Sequence, residues 1–491
     1  MFKPEHSNLN QPNIMCQICL AGFLGGTNTG WSSTALPSIK ESGDFIVSSS
    51  DLSWIASVVN LGGVFSAPAA GFLIRKFGRR TTLLLSAIPY TIGWVALSIP
   101  MQVWMLYGGR FLSGVGLGLT LIAGSVYLSE ISEPEIRGRL SVIWFVAIRF
   151  GTLFAYGIGS VLTYDEVSVI SAAISVAFGI CAYFLPESPR WLMSKWRVQQ
   201  AIDSLCWLRA CDKKSPSSKI LGEIEEIKEA VIRAEKATEG LTISTYFTNR
   251  AVLKSIVIAS ILMLFREACG GRVFSYYAVQ VFDKTGSAFD SHISGIIVGV
   301  SQLFSILITT YLVDKVGRRI LLILTLIIMS LALLCVGIFY EFKNEIEELM
   351  LNSGWIPLIA FVIYHAANSG GPFVLTYTVS SEIIPTNVIA SVSGLIMGLS
   401  WIAAFVLARF YEDMNTALGV SITFWLYAVL SVLGALCVWL LVPETNGKSL
   451  ENIHKEQEQK SNGIVTTLPV KSGEEPFDKC EVSHYPNNMK D

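Results

Sequence analysis

Residues 71–80 read Gly71-Phe72-Leu73-Ile74-Arg75-Lys76-Phe77-Gly78-Arg79-Arg80, and residues 314–319 read Asp314-Lys315-Val316-Gly317-Arg318-Arg319. Each is a short basic turn with a Gly-Arg-Arg core, set between two long apolar runs. Glycine permits a tight turn between helices, and paired arginines can bridge carboxylates on neighbouring helices. Positive charge in a cytosolic loop would explain either turn alone. It does not explain the same element at matching places in two halves of one chain.

Outward from these turns lie apolar runs near 14–36, 52–74, 82–99, 103–129, 140–162 and 167–186, then a hydrophilic stretch. Six more follow near 251–282, 291–313, 319–340, 355–381, 388–410 and 418–442. About 20 mostly apolar residues cross a bilayer as a helix. One basic turn follows the second run and the other follows the eighth, so the halves are in register. The expected fold is therefore all-α: a membrane protein of twelve transmembrane helices in two pseudo-symmetric six-helix bundles, with a helical insert between them. Duplicated halves of this kind belong to transporters that hold their solute between the halves at mid-membrane.

Composition agrees. The 491 residues are 52% hydrophobic and 15% charged, against about 25% charged in a soluble domain. The charged side chains concentrate in 187–250 and 443–491. A net charge of −2 excludes the clustered basic footprint of a nucleic-acid binder. Cys16-Gln17-Ile18-Cys19 has the spacing of a redox or metal pair, but it opens an apolar run and has no second pair. No P-loop, nucleophile constellation or metal cluster is legible, so neither an enzyme nor a cofactor or metal is expected. The run beginning near Ile14 is longer than the apolar core of a leader, so it reads as a span.

Lysine and arginine in short loops set orientation. Arg75, Lys76, Arg79 and Arg80 follow run 2, Arg137 and Arg139 follow run 4, and Lys315, Arg318 and Arg319 follow run 8. The alternate loops hold only Lys40, Lys284, Lys343 and Arg409, among acids such as Glu345, Glu347 and Glu348. The basic loops, both termini and the insert are thus expected in the cytosol. The expected division is a cytosolic N-terminus at 1–13, a bundle at 14–186, a helical linker at 187–250, a second bundle at 251–442 and a disordered tail at 443–491. In the linker, Ala201, Leu205 and Leu208 recur at helical spacing, as do Ile220, Ile224 and Ile227.

Four further elements stand at the ends of runs. Run 4 ends Tyr127-Leu128-Ser129-Glu130-Ile131-Ser132-Glu133-Pro134-Glu135-Ile136-Arg137-Gly138, and run 10 ends Ser381-Glu382-Ile383-Ile384-Pro385. Pro186-Glu187-Ser188-Pro189-Arg190-Trp191-Leu192 follows run 6, and Pro443-Glu444-Thr445-Asn446-Gly447 follows run 12. Together with both Gly-Arg-Arg turns, this set resembles the sugar porters of the major facilitator superfamily, most closely the insect facilitated trehalose transporter-like branch. The resemblance covers about residues 14–455.

The resemblance implies a rocker-switch in which two bundles open a central cavity to each side in turn, at the plasma membrane. It implies a cytosolic charge network of Arg79, Arg80, Glu130, Arg137, Glu187, Arg190, Arg318, Arg319, Glu382 and Glu444 that closes the inner gate. Two positions depart from the pattern. Arg75 stands where the family has an acid, and Ile389 where it has an arginine, so the lock is expected to be weaker.

The family holds neutral sugars with amides, hydroxyls and a tryptophan, because each sugar hydroxyl both donates and accepts. Carried onto this chain, the expected site is Phe145, Arg149, Arg266, Glu267, Arg272, Tyr276, Gln302, Ser369, Tyr377, Ser400 and Trp401. Tyr276-Tyr277 and the amide of Gln302 match. Phe145, Arg266, Glu267 and Arg272 replace amides, Tyr377 replaces the usual tryptophan and Ser369 an acid. Arg149 lies one helical turn after Phe145 and shares its face. Either Glu267 pairs with an arginine while the others reach water or carbonyls, or the surplus positive charge selects an anionic solute. Asn28 stands where proton-linked relatives have an aspartate, and an amide does not titrate. His365 on run 10 reads as a hydrogen-bonded structural residue. The expected function is facilitated transport of a sugar, trehalose or a hexose, without proton coupling. The rivals are a carrier of an anionic organic solute and a non-transporting sensor or receptor. The expected partners are the small solute and the lipid bilayer; oligomeric state is not readable.

Overall fold

The computed structural model describes residues 10–133, 137–212, 217–238, 250–285, 290–342, 355–384 and 386–444. The N-terminus at 1–9 and the tail from 445 onward lie outside them. Among the described residues the regular structure is helical throughout.

In the first half, α1 (Asn10–Ser42), α2 (Ser49–Phe77), α3 (Arg79–Ser98), α4 (Val103–Ile131), α5 (Arg137–Ile158) and α6 (Tyr164–Tyr183) are the six spans. Helices α2 and α6 each begin with a capping box. Ser48 Oγ accepts from the Asp51 N–H at 3.2 Å, while Asp51 Oδ2 accepts from the Ser48 N–H at 2.8 Å. Thr163 and Glu166 do the same for α6. These boxes satisfy orphan donors that the apolar interior of a membrane would not.

In the second half, run 7 is not one helix. It forms α10 (Arg250–Ala268), α11 (Gly271–Tyr276) and α12 (Ala278–Thr285). The first break falls at Gly270, whose φ of +82° is left-handed and suits glycine. The next spans are α13 (Ser291–Val316) and α14 (Arg318–Glu341). Run 10 is also broken, into α15 (Trp355–Gly370) and α16 (Pro372–Ile383), with Pro372 opening α16 where its missing N–H costs nothing. The last two spans are α17 (Thr386–Leu418) and α18 (Val420–Leu441). Among the described residues, ten helices or helix pairs are long and apolar enough to cross a membrane. Helix α1 and the broken α10–α12 complete the twelve spans expected from the sequence. Broken spans in the second half matter because interrupted helices turn backbone and polar side chains toward a central site.

The halves repeat each other's packing. Helix α1 lies on α5, α2 on α4, α3 on α4 and α6. In the second half α10 lies on α17, α13 on α15, α14 on α15 and α18. The halves meet along three lines: α2 against α17, α5 against α13, and α1 against α11 and α12.

The linker carries α7 (Pro189–Ser194), α8 (Val198–Leu208) and α9 (Ser218–Thr238). Their apolar faces close on one another through Trp191, Leu192, Ala201, Leu205, Ile220, Ile224 and Val231, with Ile227 packed at the edge. Arg209 ties this small core to the first half. It pairs with Glu223 at 2.7 Å and Glu133 at 3.3 Å, and donates to the Ile131 carbonyl.

Candidate functional site

Two regions gather the residues singled out above: the paired basic turns at one end of the bundle, and the seam between the halves.

At each turn a glycine lets a distant glutamate reach a helix start. Gly78 has φ +97° and Gly317 φ +94°. A Cβ on Gly78 would stand 2.3 Å from Glu187 Oε2, and one on Gly317 2.8 Å from Glu444 Oε2. Glu187 Oε1 accepts from the Arg79 N–H at 2.8 Å and the Arg80 N–H at 3.1 Å. Glu444 accepts from the Arg318 N–H at 3.2 Å and the Arg319 N–H at 3.3 Å. Each Pro-Glu element therefore caps the helix that its half's turn begins, where the backbone donors are unpaired and the helix dipole favours negative charge.

The arginines extend the same scheme. Arg79 pairs with Glu130 at 2.7 Å, and Arg318 with Glu382 at 3.7 Å. Arg80 donates to the Tyr183 carbonyl and Arg319 to the Trp439 carbonyl. Each of these pairs joins elements of one half. Arg190 lies exposed at the start of α7. The side chains of Arg137 and Ile389 lie outside the described residues, as does that of Cys16. Arg75, in place of the family acid, is exposed, and its carbonyl accepts from Trp191 Nε1 at 3.2 Å.

The seam brings all eleven expected site residues into one connected cluster. Glu267, 2% exposed, is its anionic centre. Arg266 Nη1 donates to its Oε1, Arg272 donates through Nε at 3.1 Å and Nη2 at 3.0 Å, and Ser400 Oγ adds a bond at 3.0 Å. Arg272 also lies over the Trp401 ring, 4.3 Å from its centroid. Trp401 in turn presses on α2, where a Cβ on Gly63 would meet its ring at 2.5 Å. Arg272 and the Tyr276 hydroxyl both donate to Asn60 Oδ1, at 3.2 and 3.1 Å, which joins α11 to α2.

Arg149, 3% exposed on α5, crosses to the second half. Its Nε donates to Ser369 Oγ at 3.0 Å and its Nη1 to Gln302 Oε1 at 3.2 Å. Its guanidinium sits 3.6 Å from the Phe373 ring centroid. Phe145 packs on Phe373 and Tyr377, with centroids at 5.7 and 6.2 Å. Arg266 faces the Tyr377 ring at 4.6 Å. Gln302 Nε2 donates to His365 Nδ1 at 2.9 Å, so the histidine proton sits on Nε2. Three arginines thus gather at the seam around one carboxylate, which pairs with Arg266 and Arg272 and not with Arg149. A lone charge at mid-membrane costs about 2.5–3.5 kcal/mol on the lenient insertion scale, so this is an uncommon investment in buried charge.

Sequence reading missed several members. Asn60, Phe373 and the Tyr156 hydroxyl, which donates to the Ser275 carbonyl at 2.9 Å, all bridge or line the seam. Asn60 carries a usable signal, since it is a polar residue inside an apolar run. Arg110, fully buried on α4, was given no role by the sequence reading. It donates to the Ile55 carbonyl at 3.2 Å, the Asn28 carbonyl and Oδ1, and Ser32 Oγ at 2.6 Å. Asn28 is therefore locked to a fixed cation within the first half.

Far from the basic turns, the halves are latched together. Ser33 Oγ on α1 accepts from the Val279 N–H at 3.1 Å. Arg409 Nη2 on α17 donates to Ser50 Oγ at 3.1 Å, and its guanidinium lies 5.2 Å from the Trp54 ring centroid.

Residues 14–456 match the family model described as sugar (and other) transporter. The chain is 32% identical over 429 residues to a facilitated trehalose transporter of Bombyx mori, covering 87% of this chain and 83% of that one. It is 30% identical over 441 residues to one of Polypedilum vanderplanki, covering 89% and 86%. Among solved structures, the proton:xylose symporter XylE bound to 6-bromo-6-deoxy-D-glucose superposes with a TM-score of 0.73 at 23% identity, over 92% of this chain and 100% of that one. The inward open conformation of XylE from E. coli gives 0.73 at 24% identity, over 90% and 99%. At these identities the likeness to XylE is one of fold.

Proposed function

The chain belongs to the sugar (and other) transporter family, and on that premise we propose that it carries a sugar, trehalose or a hexose, down its gradient by alternating access without proton coupling. The observation that carries this reading is the buried polar seam. Two bundles that repeat each other's packing meet along a line of hydrogen-bonding side chains from both halves, such as Arg149 with Ser369 and Arg272 with Asn60. Rocking the bundles about that line exposes it to one side or the other. Bonds of this kind across the seam bias two states by a few kcal/mol, enough to be redistributed by a solute that prefers one of them.

The Asn28–Arg110 contact supports the uncoupled reading. A proton-driven cycle needs a group that gains and loses a proton as the halves rock, and an amide fixed to a guanidinium provides none. The basic turns fit a cytosolic face, with both termini on that side, at the plasma membrane. On that reading the chain divides as 1–13, 14–186, 187–250, 251–442 and 443–491, and the two capped turns form a gate whose halves move as rigid units.

The test is uptake of labelled trehalose and glucose into proteoliposomes, with and without an imposed proton gradient. Saturable uptake indifferent to the gradient is the expected result. Uptake that requires the gradient would overturn the uncoupled mechanism, and binding without uptake would overturn transport.

A further inference from the structure

We propose that the seam is an anion site built around Arg149 and Arg266, and that this transporter takes a sugar bearing a carboxylate in preference to a neutral one. The inference rests on the transport reading for the word transporter, but the site itself stands on charge and geometry.

Three guanidinium groups and one carboxylate meet at the seam, leaving a surplus of two positive charges among buried side chains. Glu267 accepts from other donors and not from Arg149. Its Oε1 already accepts from Arg266, Arg272 and Ser400, and its Oε2 accepts from Arg272. Arg149 has the neutral acceptors Ser369 Oγ and Gln302 Oε1. Arg149 and Arg266 flank the same ring, with guanidinium carbons 3.6 and 5.6 Å from the Phe373 centroid. Positive charge from both halves therefore converges on one side chain, at the place where the halves cross.

The unpartnered atoms point the same way. Among the described residues, the buried seam groups without a partner are Arg266 Nε, His365 Nε2 and Asn60 Nδ2. All three are donors. A sugar hydroxyl must both donate and accept, whereas a carboxylate only accepts. A site whose open valences are all donors, beside surplus cations in a medium of low dielectric, matches the second chemistry. A six-carbon sugar acid would set its carboxylate between Arg149 and Arg266, with Phe373 and Phe145 displaced against the apolar face of its ring.

The experiment uses the full chain in nanodiscs at fixed ionic strength and measures equilibrium binding of labelled D-glucuronate and D-glucose, a pair that differs by the carboxylate. Glucuronate is expected to bind at least tenfold tighter, and R149Q is expected to cut that preference at least tenfold. Glucose binding as tightly as glucuronate to the unmodified protein would overturn the proposal, with no variant needed. So would an R149Q protein that folds and keeps the full preference. Uptake into proteoliposomes under a potassium diffusion potential separates the two readings. Glucuronate uptake that slows when the interior is negative supports both. Glucuronate binding without uptake sinks transport and keeps the anion site, and glucose uptake without glucuronate binding does the reverse.

Discussion

Gly78-Arg79-Arg80 with Glu187 and Gly317-Arg318-Arg319 with Glu444 are the same device built twice. In both, a left-handed glycine lets a glutamate from the end of the half cap the following helix, and the second arginine caps a carbonyl of the last span. The buried charges nearer the seam show no such repeat. The first half buries Arg110 against neutral oxygens from α1 and α2 and keeps it to itself. The second half builds an arginine–glutamate–arginine cluster, and Arg149 reaches across from the first half without an acid of its own. The repeated device joins elements within one half. The crossing is built differently, because its bonds join side chains of one half to those of the other.

The largest effects should fall where charge is compensated by charge. In E267Q, Arg266 and Arg272 lose their shared counterion while staying buried, which costs about 3–5 kcal/mol. Little folded protein should survive detergent extraction, as read by size-exclusion fluorescence. N28A leaves Arg110 with backbone and hydroxyl acceptors, so an unfilled bond of about 1–3 kcal/mol is expected. A melting midpoint for N28A as low as that of E267Q would show that the first half's cation leans on Asn28 as heavily as the second half's leans on Glu267.

The two regions were also unequally legible. The turns could be read because each uses short motifs whose spacing and punctuation are local. Even so, the reading took Glu187 and Glu444 as gate charges, and their role as helix caps became visible only when the end of each half met its turn. The seam was read from position and not from partners. Arg149 was placed at the crossing by its helical face, but Gln302 and Ser369 lie 153 and 220 residues away in the chain. No spacing rule links them. Breaks at Gly270 and Gly371 were missed although Gly270-Gly271 and Gly370-Gly371-Pro372 are local turn signals, because each was absorbed into one span-length run.

Substitutions at the turn glycines test whether the duplicated device is equally strong in both halves. G78A and G317A each place a side chain at positive φ with extended ψ, a strain of about 1–3 kcal/mol. The added Cβ would also displace the capping carboxylate, more severely at Gly78, where the distance is 2.3 Å against 2.8 Å. G78A should therefore lower the melting midpoint further than G317A. E187Q and E444Q, which keep the shape and remove the charge, should each cost about 0.3–1 kcal/mol. The first should exceed the second, because the Glu187 bonds to the helix start, at 2.8 and 3.1 Å, are shorter than those of Glu444, at 3.2 and 3.3 Å. Equal losses would mean that the glutamates act through net charge at the basic face and not through the bonds described.

The smallest effects concern the ion pairs. Arg79 meets Glu130 at 2.7 Å, and the other Glu130 oxygen accepts from Ser188 Oγ. Both side chains are largely covered, at 15% and 8% exposed. Arg318 meets Glu382 at 3.7 Å, with 20% and 21% exposed, and shares its charge with exposed Asp314 at 3.6 Å. Partly exposed pairs contribute about 0.2–1 kcal/mol and weaken with salt. R79Q should sit at the upper end of that range and R318Q at the lower end. The salt test makes the difference sharper than the midpoints alone. Raising ionic strength should shrink the R318Q effect toward zero and leave most of the R79Q effect, because ions reach an open pair and not a covered one. If both effects faded together, the two halves would be equivalent at this end of the molecule, and their difference would be confined to the seam.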